Sequence, residues 1–78
     1  MRKKTEKLVI ELKGILPDND IENAKDMLSY GEWGEALQII CAQLVENDIK
    51  IPINLLTEII DLSREMGVEN EVKKLLNI

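Results

Sequence analysis

The chain has no histidine and no phenylalanine, and among its 78 residues only one cysteine, one tryptophan, one tyrosine and two prolines. Each shortage excludes a class of chemistry. Without histidine, the side chain that most readily serves as general base or metal ligand near neutral pH is missing. A zinc site drawing on cysteine and histidine has no ligand set. A single cysteine rules out a disulfide within the chain and suits a reducing compartment. Cys41 stands in the apolar run IICAQL, where it reads as a small buried hydrophobe. A reactive thiol would need an electropositive, partly exposed setting. There is no Gly-rich phosphate loop and no paired nucleophile and base, so neither catalysis nor a cofactor is expected. The basic start MRKKTEKLVIELKGIL has the look of a secretory signal, but Glu11 and Lys13 interrupt its apolar part and no small-residue cleavage site follows. No segment approaches the roughly 18 apolar residues needed to span a bilayer. The expectation is a cytoplasmic protein without membrane contact.

What is present is an aliphatic core in helical register. The apolar fraction is 45%, and with so few aromatics it comes almost entirely from Leu, Ile, Val and Ala. A chain of this size lies near the lower limit for a fold held by its core alone. It can present a surface more easily than it can enclose a deep cleft. Thr5, Leu8, Val9, Leu12, Ile15 and Leu16 recur with the spacing of one helix face, predicting a helix over about residues 4–16 that stops at Pro17. Asp18, Asn19 or Asp20 can cap the next helix, and Asn19 with Glu22 resembles a capping box. Its inner face is Ile21, Ala24, Met27 and Leu28, and it ends near Tyr30.

Gly31 stands where a helix commonly terminates in a left-handed residue. A third helix follows over about 32–46. Trp33, Ala36, Leu37, Ile40 and Leu44 form one face, extended by Ile39, Cys41 and Val45. The polar strip left over is only Glu35, Gln38, Ala42 and Glu46, the pattern of a central helix. Pro52 suits a first turn. Leu55, Leu56, Ile59, Ile60, Leu62 and Met66 carry a fourth helix to a stop at Gly67, and Val68, Val72, Leu75 and Leu76 give a short closing one. The reading is a single all-α domain, a compact antiparallel bundle of four main helices plus a short C-terminal helix.

Charge is unevenly distributed. The total is −5; residues 1–13 contribute +3, residues 14–50 contribute −6 and the remainder −2. Such a surface repels a phosphate backbone, which argues against direct nucleic-acid binding. It would attract a basic protein. Acidic residues near helix starts also stabilise the helix dipole, and Asp18, Asp20, Glu22, Glu32 and Glu35 all qualify. Clustering goes further than that role requires: Glu22 and Asp26 are like charges four residues apart, a mildly unfavourable pair in isolation. The candidate partner-binding set is Glu22, Asp26, Tyr30, Glu32, Glu35 and Glu46, with Asn54, Glu58, Asp61 and Glu65 of the fourth helix as a second acidic row.

The segment SYGEWGEAL places the only Trp between two glycines and two glutamates. Gly31 would turn the chain, Gly34 would permit close helix contact, and Trp33 would plug the junction, its indole N–H seeking a partner. In the other reading, Trp33 or Tyr30, the latter at a helix end, lies at the rim of a partner surface between Glu32 and Glu35 as an interface anchor ringed by polar groups.

The run DMLSYGEWGEALQIICAQLVENDIKIP, followed by LLTEIIDLSREMGV, resembles the MafI-type immunity proteins of bacterial toxin systems, including contact-dependent growth inhibition. The similarity covers roughly residues 20–68. Its most specific part is GEWGEAL, Gly31 to Leu37, joined to an L-x-E-x-x-I pattern at Leu44, Glu46 and Ile49. The resemblance implies a protein that binds the C-terminal domain of a cognate toxin and protects the producing cell. It places an RNase of the EndoU type first among the targets, bound as a 1:1 complex by a monomeric inhibitor. An alternative is a tetratricopeptide-like adaptor, since GEWGEALQIICAQL echoes the first helix of that repeat. The motif does not recur 34 residues later, where Glu65, Val68 and Asn70 stand, and a solenoid needs about three repeats.

Overall fold

A computed structural model describes residues 2–78, with side chains from Lys3 onward, and shows five helices: α1 (Arg2–Glu11), α2 (Asp18–Ser29), α3 (Trp33–Glu46), α4 (Ile53–Met66) and α5 (Glu69–Leu76). The described residues form no β-strand, and they occupy 28 × 26 × 18 Å. The all-α bundle expected from the helical period is the fold observed.

Neighbours in the chain pack on one another, α1 on α2, α2 on α3, α3 on α4 and α4 on α5. Two further contacts close the structure: α1 reaches α4, and α5 lies against α3. Helices α1 to α4 therefore make a ring, and α3 touches three other helices. This is why α3 is apolar nearly all round. Its Ala36, Leu37, Ile40, Cys41 and Leu44 are buried, together with Leu8, Val9 and Leu12 of α1 and the turn after it, Ile21 and Ala24 of α2, Leu55, Ile59 and Leu62 of α4, and Val72 of α5. Val45, placed by its spacing on the inner face of the third helix, is instead 51% exposed at the end of α3.

Four helix ends close in the same way. In each, an N–H five residues on bonds back to a carbonyl of the last turn: Glu32 to Met27, Ile49 to Leu44, Val68 to Ser63 and Ile78 to Lys73, at 2.9–3.0 Å. The residue before each donor has a positive φ, namely Gly31 (74°), Asp48 (53°), Gly67 (74°) and Asn77 (60°). These bonds satisfy carbonyls a helix otherwise leaves open. Glycine enters the left-handed region without a Cβ clash, and Asp and Asn are the L-residues that enter it most readily.

Two boundaries differ from the sequence reading. The first helix begins at Arg2 and ends at Glu11, not near residue 16. The apolar rhythm continues because Leu12, Ile15 and Leu16 occupy turns held by Ile15 N–H and Leu16 N–H to the Leu12 carbonyl, while Gly14, at φ 84°, breaks helical geometry. The second helix is not capped by a side chain of Asp18, Asn19 or Asp20. Pro17 occupies the N-cap with extended geometry (φ −56°, ψ 146°), and its carbonyl accepts from Asp20 and Ile21. The same geometry recurs at Pro52, which precedes α4 rather than lying in its first turn. In both places proline fixes the chain direction into the helix and loses no hydrogen bond.

Ion pairs tie the outside of the ring. Lys4 Nζ donates to Glu65 Oε1 at 3.1 Å and Lys7 Nζ to Glu58 Oε1 at 3.4 Å, linking α1 to α4. At the α4–α5 corner, Arg64 Nε donates to Glu69 Oε2 at 2.7 Å and Lys73 approaches the same oxygen at 3.2 Å. The bond from Arg64, then that from Lys73, holds the Glu69 carboxyl below the usual carboxylate range.

Candidate functional site

The turn between α2 and α3 carries most of the residues singled out from the sequence. Gly31 reverses the chain there. A Cβ on Gly31 would meet nothing closer than Trp33 Nε1 at 4.0 Å, so glycine is required for backbone conformation and not for space. Gly34 is the opposite case. Its φ is unremarkable, but a Cβ would lie 3.2 Å from Val68 Cγ1, so the first turn of α3 seats directly against the α4–α5 corner. Trp33 lies between these two points. It is half-buried, packs against the core and lines a shallow groove of about 380 Å³ with Gly34, Glu35, Glu65, Met66 and Val68. It thus joins the α2–α3 turn to the α4–α5 corner.

The acidic candidates separate into groups. Glu22 and Asp26 are exposed on α2, opposite the buried Ile21 and Leu28. Tyr30 follows at the end of α2 and is 82% exposed, the most exposed large apolar side chain described. Glu32 and Glu35 are exposed at the start of α3, on the rim of the Trp33 groove. Glu46 does not join them. It stands on the same side of α3 as Glu35 but eleven residues further on, about 16 Å along the axis at 1.5 Å per residue.

Ion pairing sharpens the division. In the fourth-helix row, Glu58 is held by Lys7, Asp61 by Arg64 at 3.7 Å and Glu65 by Lys4. Glu22 is the one α2 acid with an ion-pair partner among the described residues, Lys25 at 3.6 Å. Among the described residues, Asp18, Asp20, Asp26, Glu32 and Glu35 have no ion-pair partner. Of the two acidic rows, the one left largely uncompensated is therefore that of α2 and the beginning of α3, the segments that flank Tyr30. Sequence spacing had ranked the two acidic rows without knowing which one α1 would neutralise.

The described residues contain no group of three or more His, Cys, Asp or Glu placed to hold a metal ion. Among the described residues no helix is long and apolar enough to cross a membrane. Cys41 is fully buried on α3, and desolvation pushes its thiol up to about 12. In the native protein Cys41 should react with a thiol reagent at pH 8 on the order of a hundredfold more slowly than in urea, because the thiolate is both scarce and covered. Labelling rates measured with and without denaturant check this; equal rates would mean that the α3 seam opens freely. Comparison with protein-family models, curated proteins and solved structures finds no match to this chain.

Proposed function

We propose that this chain is an immunity protein: it binds the C-terminal domain of a cognate toxin, a basic nuclease with an EndoU-type RNase as the first candidate, and inhibits it by covering the phosphate-binding groove. The observation that carries this reading is the uncompensated acidic surface of α2 and the start of α3, set around the exposed Tyr30. A nuclease groove is electropositive because it must hold phosphates. A surface of free carboxylates meets it where the substrate backbone would lie, and Tyr30 supplies apolar contact area at the centre. The resemblance of Gly31 to Leu37 and of the flanking helices to MafI-type immunity proteins points the same way. Inhibition by occlusion needs no catalytic group, which suits a sequence without histidine.

An adaptor of the tetratricopeptide kind is less well supported. Solenoid repeats contact only their neighbours along the stack, whereas α1 here packs on α4 and closes a ring.

Charge reversal tests the proposal. Asp26→Lys combined with Glu35→Lys should slow association with the toxin domain by about tenfold or more, through lost electrostatic steering, and should weaken protection of exposed cells. Both positions are exposed, so thermal stability should change by no more than about 0.5 kcal/mol. Wild-type association should slow as salt is raised, since exposed charges are screened over about 8 Å at physiological ionic strength. Full protection by the double variant, with association indifferent to salt, would remove this surface from the contact.

A further inference from the structure

The Trp33 groove differs in charge from the depression between α1 and α4. That depression is lined by acids and bases together, and its carboxylates Glu58, Asp61 and Glu65 are met by Lys7, Arg64 and Lys4 of the same walls. Among the described residues lining the Trp33 groove are Glu32, Glu35 and Glu65, and none is a lysine or an arginine. Glu65 is held by Lys4 at 3.1 Å. Glu32 and Glu35 have no ion-pair partner among the described residues. Two like charges on the walls of one depression repel each other, and a cation seated between them turns that repulsion into attraction.

The remaining walls narrow the kind of cation. Their apolar surface comes from Trp33, Met66 and Val68. Gly31 and Gly34 add no side chain that would screen the indole; a Cβ on Gly31 would begin 4.0 Å from Trp33 Nε1. That N–H has no hydrogen-bond partner among the described residues. A lysine ammonium is a compact, strongly hydrated charge and makes little use of an aromatic wall. A guanidinium is flat and weakly hydrated, lies against aromatic surface, and bonds carboxylates through its forked donors at the same time. Carried on a peptide, it also brings a backbone carbonyl that can accept from the indole N–H. Half-buried as it is, Trp33 serves as a joint on its inner side and as a wall of the groove on its outer side.

We propose that the Trp33 groove receives an arginine side chain of the protein it binds, the guanidinium seated between Glu32 and Glu35 and against the indole. That the arginine belongs to a toxin domain rests on the function proposed above; the preference of the groove for arginine does not, so the test uses peptides alone. Trp33 is the one tryptophan of the chain, and its indole N–H gives a single side-chain resonance in isotope-labelled protein. Titration with N-acetyl-Gly-Arg-Gly-amide should shift that resonance saturably, with a dissociation constant in the millimolar range. The corresponding lysine peptide should bind at least about threefold more weakly. The citrulline peptide, of the same shape but uncharged, should bind at least about tenfold more weakly. Glu32→Gln combined with Glu35→Gln, both at exposed positions, should keep the wild-type melting curve and weaken the arginine peptide at least about tenfold. Glu22→Gln with Asp26→Asn removes the same charge from α2, outside the groove, and should leave binding within about twofold. A resonance that ignores the arginine peptide, equal affinity for the lysine or citrulline peptide, or equal losses in the two double variants overturns the proposal. Should the groove take the arginine peptide while Asp26→Lys with Glu35→Lys still protects cells fully, the arginine site stands and the toxin reading falls.

Discussion

Leu37→Ala should lower the unfolding free energy by about 3–4 kcal/mol, within the range for deleting a large buried aliphatic side chain. Leu37 is fully buried on α3, the helix that packs against α2, α4 and α5. Removal of its isopropyl group leaves a void in a helix packed against several others, and no one of them can move in without losing contacts to the rest. The consequence is large because the domain is small. A chain of 78 residues has a total stability of about 4–12 kcal/mol, so this one substitution removes about a quarter of it or more. Urea denaturation followed by circular dichroism measures the loss. A change below about 1 kcal/mol would show that the centre of the bundle repacks freely.

The second large effect is expected at Trp33. A fully buried tryptophan costs about 3–5 kcal/mol on truncation to alanine. Trp33 keeps part of its surface in solvent along the groove, which brings the expected cost of Trp33→Ala down to about 2 kcal/mol. The substitution should loosen the α2–α3 turn from the α4–α5 corner, because Trp33 lies between the two, next to the close approach of Gly34 to Val68. Amide exchange should accelerate first near Gly31 and Gly67. The indole also borders Glu32 and Glu35, so stability and toxin binding have to be measured on the same variant. A lowered melting temperature with binding preserved below it marks Trp33 as a joint. An unchanged melt with binding lost would make it a contact residue instead.

The helices were legible in the sequence wherever burial set the pattern. Ile21, Ala24 and Leu28 of α2 and Leu55, Ile59 and Leu62 of α4 fall on inner faces as their spacing requires. At α1 the same signal overran, since an aliphatic residue contributes to the core equally well from a helix or from the turn after it. Gly14 was the available sign of the break. Gly31 and Gly67 announce their turns, whereas Asp48 and Asn77 adopt the same left-handed geometry without the residue type that advertises it. Each is followed by an isoleucine whose N–H makes the closing bond, and that pairing is the sequence cue to such an end. The proline starts at Pro17 and Pro52 show that a helix can begin without a side-chain cap where the backbone is already directed.

The candidate surface was only half legible. Runs of acidic residues show where negative charge is concentrated, but its neutralisation depends on packing between distant segments. Lys4 and Lys7 meet Glu65 and Glu58 across 61 and 51 residues of chain, a pairing no local pattern contains. The position of Glu46, by contrast, follows from helix geometry alone: a shared stripe on α3 does not bring its two ends together.

Those same long-range pairs bear on the order in which the molecule is assembled. The α2–α3 and α4–α5 contacts join neighbours in sequence and can form while the chain is still short. The α1–α4 contact has to close a loop of about fifty residues, at a higher entropic cost. During synthesis from the N-terminus, Thr5, Leu8, Val9 and Leu12, all buried in the finished protein, have α2 but not α4 to cover them until Glu58 and Glu65 have been made. Helix α1, made before α4, is therefore the one whose docking is completed late, and the lysines and glutamates along its outer side keep that waiting helix in water.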